Sequence, residues 1–234
     1  TEGEQDMLDQ ADDSRSDVTC AIKRLGSGDE ERWDDFAKDA PQATFFHRAA
    51  WRGIIEHGLG HRCHYLYAQR NGVITGILPL AEIRSRLFGH ALISTPFCVY
   101  GGVVARDPDS AAQLTHAATI LADELHVDYL ELRDRELHQT TWPVKDLYVG
   151  FRKAIDPDHD KNLKAIPRKQ RAMVRKGMAA GLQAHHGGNI AEFYRVYAES
   201  VRNLGTPVLS RIYYMRLQPM FVEGCHVTVV SHQG

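Results

Sequence analysis

The sequence of 234 residues predicts an α+β protein with related units in tandem. The predicted elements come in the order strand, two helices, antiparallel meander, helix and strand, whereas a doubly wound sheet alternates strands and helices strictly. Residues 48–72 also match residues 210–234 without a gap, as expected of a duplicated unit. We expect each copy to contain a helix, a loop, a strand and a turn.

The first unit begins with a predicted strand over residues 19–24 and a helix after it. Ser27 and Glu30 have the spacing of a capping box at the start of this helix. The apolar residues that follow recur at helical spacing and predict its buried face: Trp33, Phe36, Ala37 and Ala40.

A second helix and a hairpin follow. The apolar stripe that starts at Trp51 predicts a helix ending at Gly58, and residues 65–70 alternate like a half-buried strand. The dipeptide Asn71-Gly72 suits a two-residue type I′ turn. Residues 73–82 should therefore return antiparallel to the strand before them.

Two further strands are predicted over residues 91–95 and 102–105. The loop between them, residues 96–101, mixes aromatic residues with glycine and can line a pocket. A strand over residues 127–133 ends the unit. It follows a long helix with apolar residues on one face: Leu114, Ala118, Leu121 and Leu125.

The two matching segments are offset by 162 residues, since Arg48 corresponds to Ser210. Gly72 then corresponds to Gly234, the last residue. Helix–strand units share apolar spacing routinely, so chance similarity is the alternative to duplication. Under duplication, we expect the chain to stop at a hairpin turn, with the second unit incomplete.

The bulk composition limits the function classes. The net charge is −2, so any electrostatic recognition must be local. No apolar run approaches the ~20 residues of a membrane span and no signal peptide is recognisable, which predicts a cytoplasmic protein. The four cysteines form no Cys-x-x-Cys pair and predict neither a disulfide frame nor a zinc site.

Composition also indicates the domain limits. Residues 1–17 hold seven acidic residues and one arginine, with few apolar side chains, which is typical of a disordered tail. We expect the first domain to span residues 18–155 and the second to span residues 156–234.

The strongest local concentration of charge lies in residues 161–176. Seven of these residues are basic, and the next acidic residue is Glu192. Helical spacing puts most of the cations on one face and predicts that the opposite, apolar face packs, with Met173 and Val174 among its residues. Pro167 either breaks the helix or begins one, and the stripe within residues 168–176 is kept in both cases.

Two interpretations of this cationic stripe stay open. One is a solvated helix face, although such faces ordinarily mix charges of both signs. The other is a site for a phosphate-bearing ligand. Arg171 and Arg175 lie one turn apart, and guanidinium groups match the geometry of phosphate oxygens.

Two capped helices and a strand are predicted after the stripe. Asn189 with Glu192 begins one helix and Gly205 ends it, and Ser210 begins the next helix. The last strand is predicted over residues 227–232, with an open hydrogen-bonding edge.

Other candidate site residues carry weaker signals. His57, His61 and His64 lack the rigid spacing and the adjacent carboxylate of a metal site, so no metal is predicted. No nucleophile elbow, phosphate loop or dinucleotide glycine motif is present. Four acidic residues on or after the strand at 127–133 are candidate bases or solvated strand-end residues: Asp128, Glu131, Asp134 and Glu136.

Several motifs carry a family resemblance. The segment 166–182, IPRKQRAMVRKGMAAGL, together with segments 193–197 and 202–210, resembles the central region of the FemAB-like family of GNAT-fold acyltransferases. In particular, it resembles the group associated with bacterial exosortase and PEP-CTERM systems. The segment 97–102, FCVYGG, shares the resemblance, which covers most of residues 40–225.

The resemblance implies two tandem GNAT-like domains and transfer of an acetyl or aminoacyl group to a cell-envelope or exopolysaccharide precursor. The donor would be acyl-CoA or aminoacyl-tRNA, with no metal. The acceptor would be a sugar or peptide precursor, with a nucleotide-linked form and tRNA as candidate partners. The residues implied to bind substrates are Tyr100, Gly101 and Gly102 at the acceptor, and Arg168, Arg171, Arg175, Lys176 and Arg202 near phosphates.

Acyl transfer of this kind needs no covalent nucleophile, because positioning and oxyanion stabilisation can supply much of the rate. The residues point to no particular general base. One alternative function is a non-catalytic binding module for the phosphates of a nucleotide-sugar or RNA. A second alternative is a scaffold on anionic membrane surfaces. The sequence does not determine the oligomeric state.

Overall fold

The computed structural model describes residues 19–87, 89–135 and 141–232. The chain folds as two compact units, Thr1–His138 and Gln139–Gly234. The acidic segment 1–17, Glu136 and the turn expected at Gly234 lie outside the described residues. The domain limits expected from the sequence, at residues 155 and 156, stay a prediction.

A mixed β-sheet is the centre of the first unit. Its strands are β1 (Ala21–Arg24), β2 (Arg62–Arg70), β3 (Val73–Ser85), β4 (Gly89–Ser94), β5 (Val104–Ala105) and β6 (Tyr129–Glu131). Its helices are α1 (Glu30–Asp39), α2 (Trp51–Leu59) and α3 (Pro108–Leu125), with a 3₁₀ turn at Phe45–His47. The strand order is β1-β2-β3-β4-β6, and β5 pairs with β3. The β4–β6 pair is parallel, and the other pairs are antiparallel.

Strands β2 and β3 form the long hairpin that the sequence predicts. Asn71 and Gly72 have φ of 48° and 80°, the positive values that a type I′ turn requires. The strands pair antiparallel through a β-bulge after Ala68. Both exceed their predicted limits, since β2 begins at Arg62 and β3 ends at Ser85.

The sheet buries apolar side chains on both faces. Odd-numbered residues of the hairpin, such as Ile77, pack with Trp33 and Phe36 of α1. Even-numbered residues, such as Leu78, pack with Leu114 of α3. The alternation of side chains along a strand therefore divides the core into two layers, one on each face of the sheet.

The second unit contains four helices and a two-stranded sheet in its described part. The helices are α4 (His159–Ala165), α5 (Arg168–Ala179), α6 (Ile190–Asn203) and α7 (Arg211–Met220). The strands β7 (Gln183–His186) and β8 (Thr228–Ser231) pair antiparallel. The predicted helix signals are confirmed, because Asn189 and Ser210 cap α6 and α7, and Gly205 follows α6 with φ of 72°.

The second unit repeats the opening part of the first at a constant offset. Adding 162 to the limits of β1 gives the limits of β7. Ala21 pairs with Gln69 in the first unit, and Gln183 pairs with Ser231 in the second, so the hydrogen-bond register repeats at the same offset. Helices α6 and α7 occupy the chain positions of α1 and α2. A repeated register does not follow from apolar spacing alone, which favours duplication over chance.

The capping box expected at Ser27 and Glu30 does not form. The residue that precedes α1 is Asp29, and its side chain makes no capping hydrogen bond. The Glu30 carboxylate accepts the N–H of Gly28 at 2.7 Å, one residue away from the predicted partner. The helix therefore begins later than the sequence pattern predicts.

Two other predicted boundaries also shift. Helix α2 passes through Gly58 and ends at Leu59, because Gly60 adopts the left-handed conformation with φ of 75°. Strand β8 occupies Thr228–Ser231, inside the predicted range of residues 227–232. The glycine that ends a helix is the one whose backbone leaves the helical region, which spacing alone does not reveal.

A buried carboxylate, Glu82 of β3, joins three strands on the α3 face of the sheet. Its oxygens contact His90 Nε2 at 2.8 Å and His64 Nε2 at 3.3 Å. The Nε of Arg84 donates to the same carboxylate at 2.8 Å. His64 and His90 belong to β2 and β4, so the cluster crosslinks the sheet.

The protonation states in this cluster follow from burial and hydrogen bonding. Burial alone raises the pKa of Glu82, but its hydrogen bonds with His90, His64 and Arg84 outweigh this effect and hold the pKa below 4.5. Burial lowers the pKa of His64 below 6.5. Glu82 and His64 therefore bind their protons more readily in the unfolded chain than in the folded chain. The free energy of unfolding consequently falls as the pH decreases.

We expect Glu82→Gln to lower the free energy of unfolding by about 1.5–3 kcal/mol at pH 7, because hydrogen bonds to a charged group are weakened. The deficit should shrink below pH 4.5, as the parent protein's Glu82 becomes protonated on passing through its folded-state pKa. Urea unfolding followed by circular dichroism between about pH 3 and pH 7.5 measures both effects.

Glu124→Gln is the matched control, since Glu124 is exposed on α3 and has no ion pair among the described residues. It should change stability by less than about 0.5 kcal/mol. If the two variants are equally stable at pH 7, the Glu82 cluster does not hold the sheet together.

Candidate functional site

The loop between β4 and β5, residues 95–103, forms the candidate acceptor surface of the first unit. Thr95 and Phe97 have φ of 35° and 67°. A β-branched residue at positive φ is strained and persists where its contacts hold it. The N–H of Thr95 donates to Pro79 O at 2.9 Å, and its hydroxyl donates to Phe46 O at 3.3 Å.

Gly101 and Gly102 are glycines because neighbouring atoms leave no room for a side chain. A Cβ on Gly101 would lie 2.3 Å from Thr95 Oγ1, and one on Gly102 would lie 1.8 Å from Asp134 Oδ1. Their N–H groups donate to Arg133 O at 3.3 Å and 3.2 Å. The loop therefore lies directly against the segment that follows β6.

A small, partly open cavity lies beside this loop. Tyr100, predicted to line the acceptor pocket, has its ring centre 6.0 Å from the guanidinium carbon of Arg135, which belongs to the cavity wall. The structure thus places Gly102 in the cavity wall and Tyr100 against Arg135, and Tyr100 itself does not line the cavity. The residues that line it include no acidic side chain: Gln42, His47, Gly102, Val103, Val104, Arg133 and Arg135.

His47 forms the buried wall of the cavity. Its Nδ1 accepts the N–H of Thr44 at 3.0 Å, so Nε2 carries the proton and donates to Gly102 O at 3.0 Å. Burial lowers the pKa of His47 below 6.5, in agreement with a neutral ring. Both ring nitrogens are therefore engaged, and His47 holds Thr44 and Gly102 in place.

Two arginines of the cavity differ in their partners. Arg133 donates from Nε to Glu131 at 2.7 Å and from Nη1 to Cys98 O at 2.7 Å. Arg135 donates from Nη1 to Gln42 O at 3.3 Å. Sequence reasoning missed both arginines because it considered the acidic residues of this segment. The available signal was their spacing of two, which puts them on one side of an extended chain.

In the second unit, α5 presents three of the arginines predicted to bind phosphate. Arg168, Arg171 and Arg175 line an open depression together with Ala172. At 100° per residue the three arginines lie within an arc of about 60°. Of the basic residues in the segment 161–176, Lys161 is the one with an ion pair in the described chain, to Asp156 at 3.7 Å.

The electrostatics of α5 are unfavourable for an isolated helix. Its first turn contains no acidic residue and no side-chain cap, although a helix N-terminus favours negative charge. Arg168 and Arg171 are three residues apart, and Arg171 and Arg175 are four apart, spacings at which like charges repel. A bound anion would relieve both effects.

Pro167 divides the predicted stripe between two helices. Helix α4 ends at Ala165 and α5 begins at Arg168, so Lys161 and Lys164 do not share a helix with the arginines. The missing N–H of proline and its restriction of the preceding residue explain the break.

The expectation that the apolar face of α5 packs is wrong. Met173 is 63% exposed and Val174 is 43% exposed. Periodicity identifies the residues that share a helix face, but it does not reveal whether another element covers that face.

Two predicted site residues do not line the depression. Lys176 is exposed in the last turn of α5. Arg202 is exposed near the end of α6, where its carbonyl accepts the N–H of Gly205 at 3.0 Å. The structure therefore groups Arg168, Arg171 and Arg175 with one another, and does not add Lys176 or Arg202 to them.

The candidate bases after α3 are engaged in local contacts. Asp128 accepts the N–H of His90, and Asp134 accepts the N–H of Val103, each at 2.8 Å. Glu131 pairs with Arg133. These contacts give the three carboxylates structural roles, and Glu136 lies outside the described residues.

The three clustered histidines do not converge on a common point. His64 contacts Glu82, and the ring of His61 stacks on Phe97 at 5.7 Å. His57 is exposed on α2. Across the described residues, no group of three or more potential ligands is placed to hold a metal ion.

The N-terminus of α3 does not offer a phosphate site, although helix N-termini commonly do. Asp107 caps it by accepting the N–H of Ser110 at 2.8 Å, and Asp109 lies in the first turn. Both carboxylates pair with Arg70. Negative charge already occupies this end of the helix.

Comparison with known proteins finds a structural likeness. No family model and no curated protein matches the sequence. The crystal structure of FemX matches with a TM-score of 0.60 at 14% identity, over 91% of this chain and 58% of the FemX chain. A GNAT family acetyltransferase of Staphylococcus aureus matches at 11% identity and a TM-score of 0.40, over 58% of this chain and 99% of the other. A transcriptional regulator of Bacillus halodurans matches at 13% identity with a TM-score of 0.39, over 58% of this chain and 100% of the other.

The likeness to FemX establishes the fold. It confirms the predicted α+β class and shows that the chain has a FemX-like fold. The two lower TM-scores are too small to add to this conclusion. The chain spans 58% of the FemX chain that it matches, and the association with exosortase systems stays a prediction. Among the described helices, none is long and apolar enough to cross a membrane.

We expect Gly102→Ala to lower the free energy of unfolding by about 1–3 kcal/mol, a typical range for overpacking a buried position. The added methyl group would meet the carboxylate and the Cα of Asp134, and backbone atoms cannot move aside as a flexible side chain can. Urea unfolding followed by tryptophan fluorescence measures the change.

Gly26→Ala is the control, because its Cβ would meet Asp29 Oδ2 at 3.4 Å, an ordinary contact distance. That variant should unfold at nearly the same urea concentration as the parent. A Gly102→Ala protein as stable as Gly26→Ala would show that the loop is not fixed against Asp134.

Proposed function

We propose that this chain is part of an acyltransferase that moves an acyl or aminoacyl group onto an amine of a cell-envelope or exopolysaccharide precursor. The observation that carries the proposal is the tandem β-α-α-β repeat, with the same strand register in both copies and a FemX-like fold. The FemAB-like motifs around residues 97–102 and 166–182 support the same reaction class.

The arginine face of α5 supports a phosphate-bearing substrate. The helix holds three neighbouring cations that repel one another, near an N-terminus that favours negative charge. None of the three, Arg168, Arg171 and Arg175, has an ion pair in the described chain. Guanidinium groups bind phosphate oxygens through paired hydrogen bonds. We assign this face to a phosphate group of the donor or the acceptor.

Acyl-CoA and aminoacyl-tRNA remain the candidate donors, because both carry phosphates and an activated acyl carbon. The acceptor amine would attack the thioester or ester carbonyl, forming a tetrahedral oxyanion whose collapse expels the thiol of CoA or the ribose hydroxyl of tRNA. Positioning and oxyanion stabilisation supply the rate, and no metal enters the proposal. No general base is assigned.

A non-catalytic binding module is the second candidate function. The open arginine depression on α5 favours it, because phosphate binding at that surface does not by itself require turnover. The two candidates share the arginine site and differ in whether an acylated product forms.

We expect the double change Arg171→Gln with Arg175→Gln to weaken binding of phosphate-bearing ligands about a hundredfold or more. Each charge-assisted contact contributes roughly 1.5–3 kcal/mol, and glutamine is a good helix former, so folding should be retained. Isothermal titration calorimetry with acetyl-CoA and with aminoacyl-tRNA, at low and high salt, measures the loss. The salt dependence should also decrease, since fewer counterions are released on binding.

The matched control is Lys145→Gln with Lys153→Gln, which removes two exposed cations from the same unit. It should bind as the parent does at a given salt concentration. If the arginine variant and the lysine variant bind both ligands equally, the face on α5 is only solvated and the phosphate assignment is wrong.

A further inference from the structure

Arg135 lies at the wall of the first unit's cavity and has no charge partner among the described residues. Its Nη1 donates to Gln42 O, and its guanidinium lies over the ring of Tyr100. No carboxylate of the described residues lies within ion-pair distance of it, and its other two nitrogens make no hydrogen bond there. Within the part of the chain that the structure describes, Nε and Nη2 of Arg135 are therefore available to a ligand.

The neighbouring arginine is already committed to the fold. Arg133 donates from Nε to Glu131 and from Nη1 to Cys98 O, and the second bond fixes the loop that carries Tyr100. It contributes positive charge to the cavity while its position is set by these two contacts. Arg133 and Arg135 therefore have different roles, one holding the loop and the other facing the cavity.

The acidic groups near this cavity are turned to other partners. Asp134 Oδ1 accepts the N–H of Val103, and Glu131 pairs with Arg133. His47 is neutral because burial lowers its pKa. Among the described residues, the side chains that line the cavity thus include two arginines and no acid, while Glu131 and Asp134 lie directly behind them.

The loop over the cavity is held in a strained form. Thr95 and Phe97 keep positive φ values that cost free energy in an ordinary loop. Gly101 and Gly102 accept close approach from Thr95 and Asp134 that any side chain would prevent. Strain maintained by surrounding contacts is characteristic of sites that are formed before the ligand arrives.

We propose that this cavity binds an anionic oxygen group of the acceptor, a carboxylate or a phosphate, with Arg135 as its principal cation and Tyr100 as the residue that orients Arg135. The cavity is small and partly open to solvent, so it can hold at most one such group and is far too small for a whole nucleotide. The identity of the ligand as the acceptor rests on the proposed function. Binding of the anion itself does not.

The experiment is a nuclear magnetic resonance titration of ¹⁵N-labelled protein with sodium phosphate and, separately, with sodium acetate. Sodium chloride at equal ionic strength is the blank. The Arg135 Nε–H signal and the amide signals of Gly102 and Val103 should shift saturably with at least one of the two anions. The anion with the lower dissociation constant distinguishes a phosphate site from a carboxylate site.

Arg135→Gln should weaken this binding at least tenfold, as judged from the Gly102 and Val103 signals. Arg86→Gln is the matched control, because Arg86 is exposed in the turn after β3 and does not line the cavity. Tyr100→Leu should weaken binding several-fold, since the ring that orients Arg135 is lost. The fold of each variant is checked from the dispersion of its amide spectrum.

Two results would overturn the proposal. The first is the absence of saturable shifts at these signals with both anions in the parent protein. The second is binding by Arg135→Gln that equals binding by Arg86→Gln. Repeating the titration in the Arg171→Gln, Arg175→Gln background separates the two sites, because the Arg135 signal should still shift when α5 has lost two of its arginines.

Discussion

The first unit depends on one constraint: strands β4 and β5 both pair with the same edge of strand β3. Its later residues, Leu80–Ser85, pair with β4, while Gly76 and Ile77 pair with β5 on the same edge. The chain must therefore leave the sheet after β4 and return to it at β5. Gly76 permits the return, because a Cβ there would lie 2.9 Å from Leu114 Cδ1 and 3.2 Å from Val104 O. The strained loop and its cavity follow from this interrupted edge.

The two units provide anion-attracting surfaces of different kinds. In the first unit, the positive charge lies at a small cavity whose wall is fixed by His47 and by close backbone contacts. In the second, three arginines lie side by side on a helix that no carboxylate balances within the described chain. The first surface suits one small group held in a defined geometry. Under the proposed function, the second binds a phosphate-bearing ligand, and such binding would depend strongly on salt.

Local signals in the sequence predicted the fold well, and contacts distant in sequence explain what was missed. The dipeptide Asn71-Gly72 fixed the hairpin because its turn type is set by two residues. The repeat was recognisable because both copies keep the same offset. The Glu82 cluster was missed because its two histidines come from other strands. Arg135 was missed because its role depends on a loop more than thirty residues earlier, from 95 to 103.

The central claim is that a duplicated, FemX-like fold carries acyl transfer. The most direct measurement is mass spectrometry of the reaction products, with the full-length protein, an amine-bearing nucleotide-linked peptidoglycan precursor, and acetyl-CoA or aminoacyl-tRNA as donor. The account predicts that the precursor gains the mass of one acyl or aminoacyl group with one of these donors. If the protein binds both phosphate-bearing ligands and no acylated precursor forms with either donor, the claim is contradicted and the chain is a binding module.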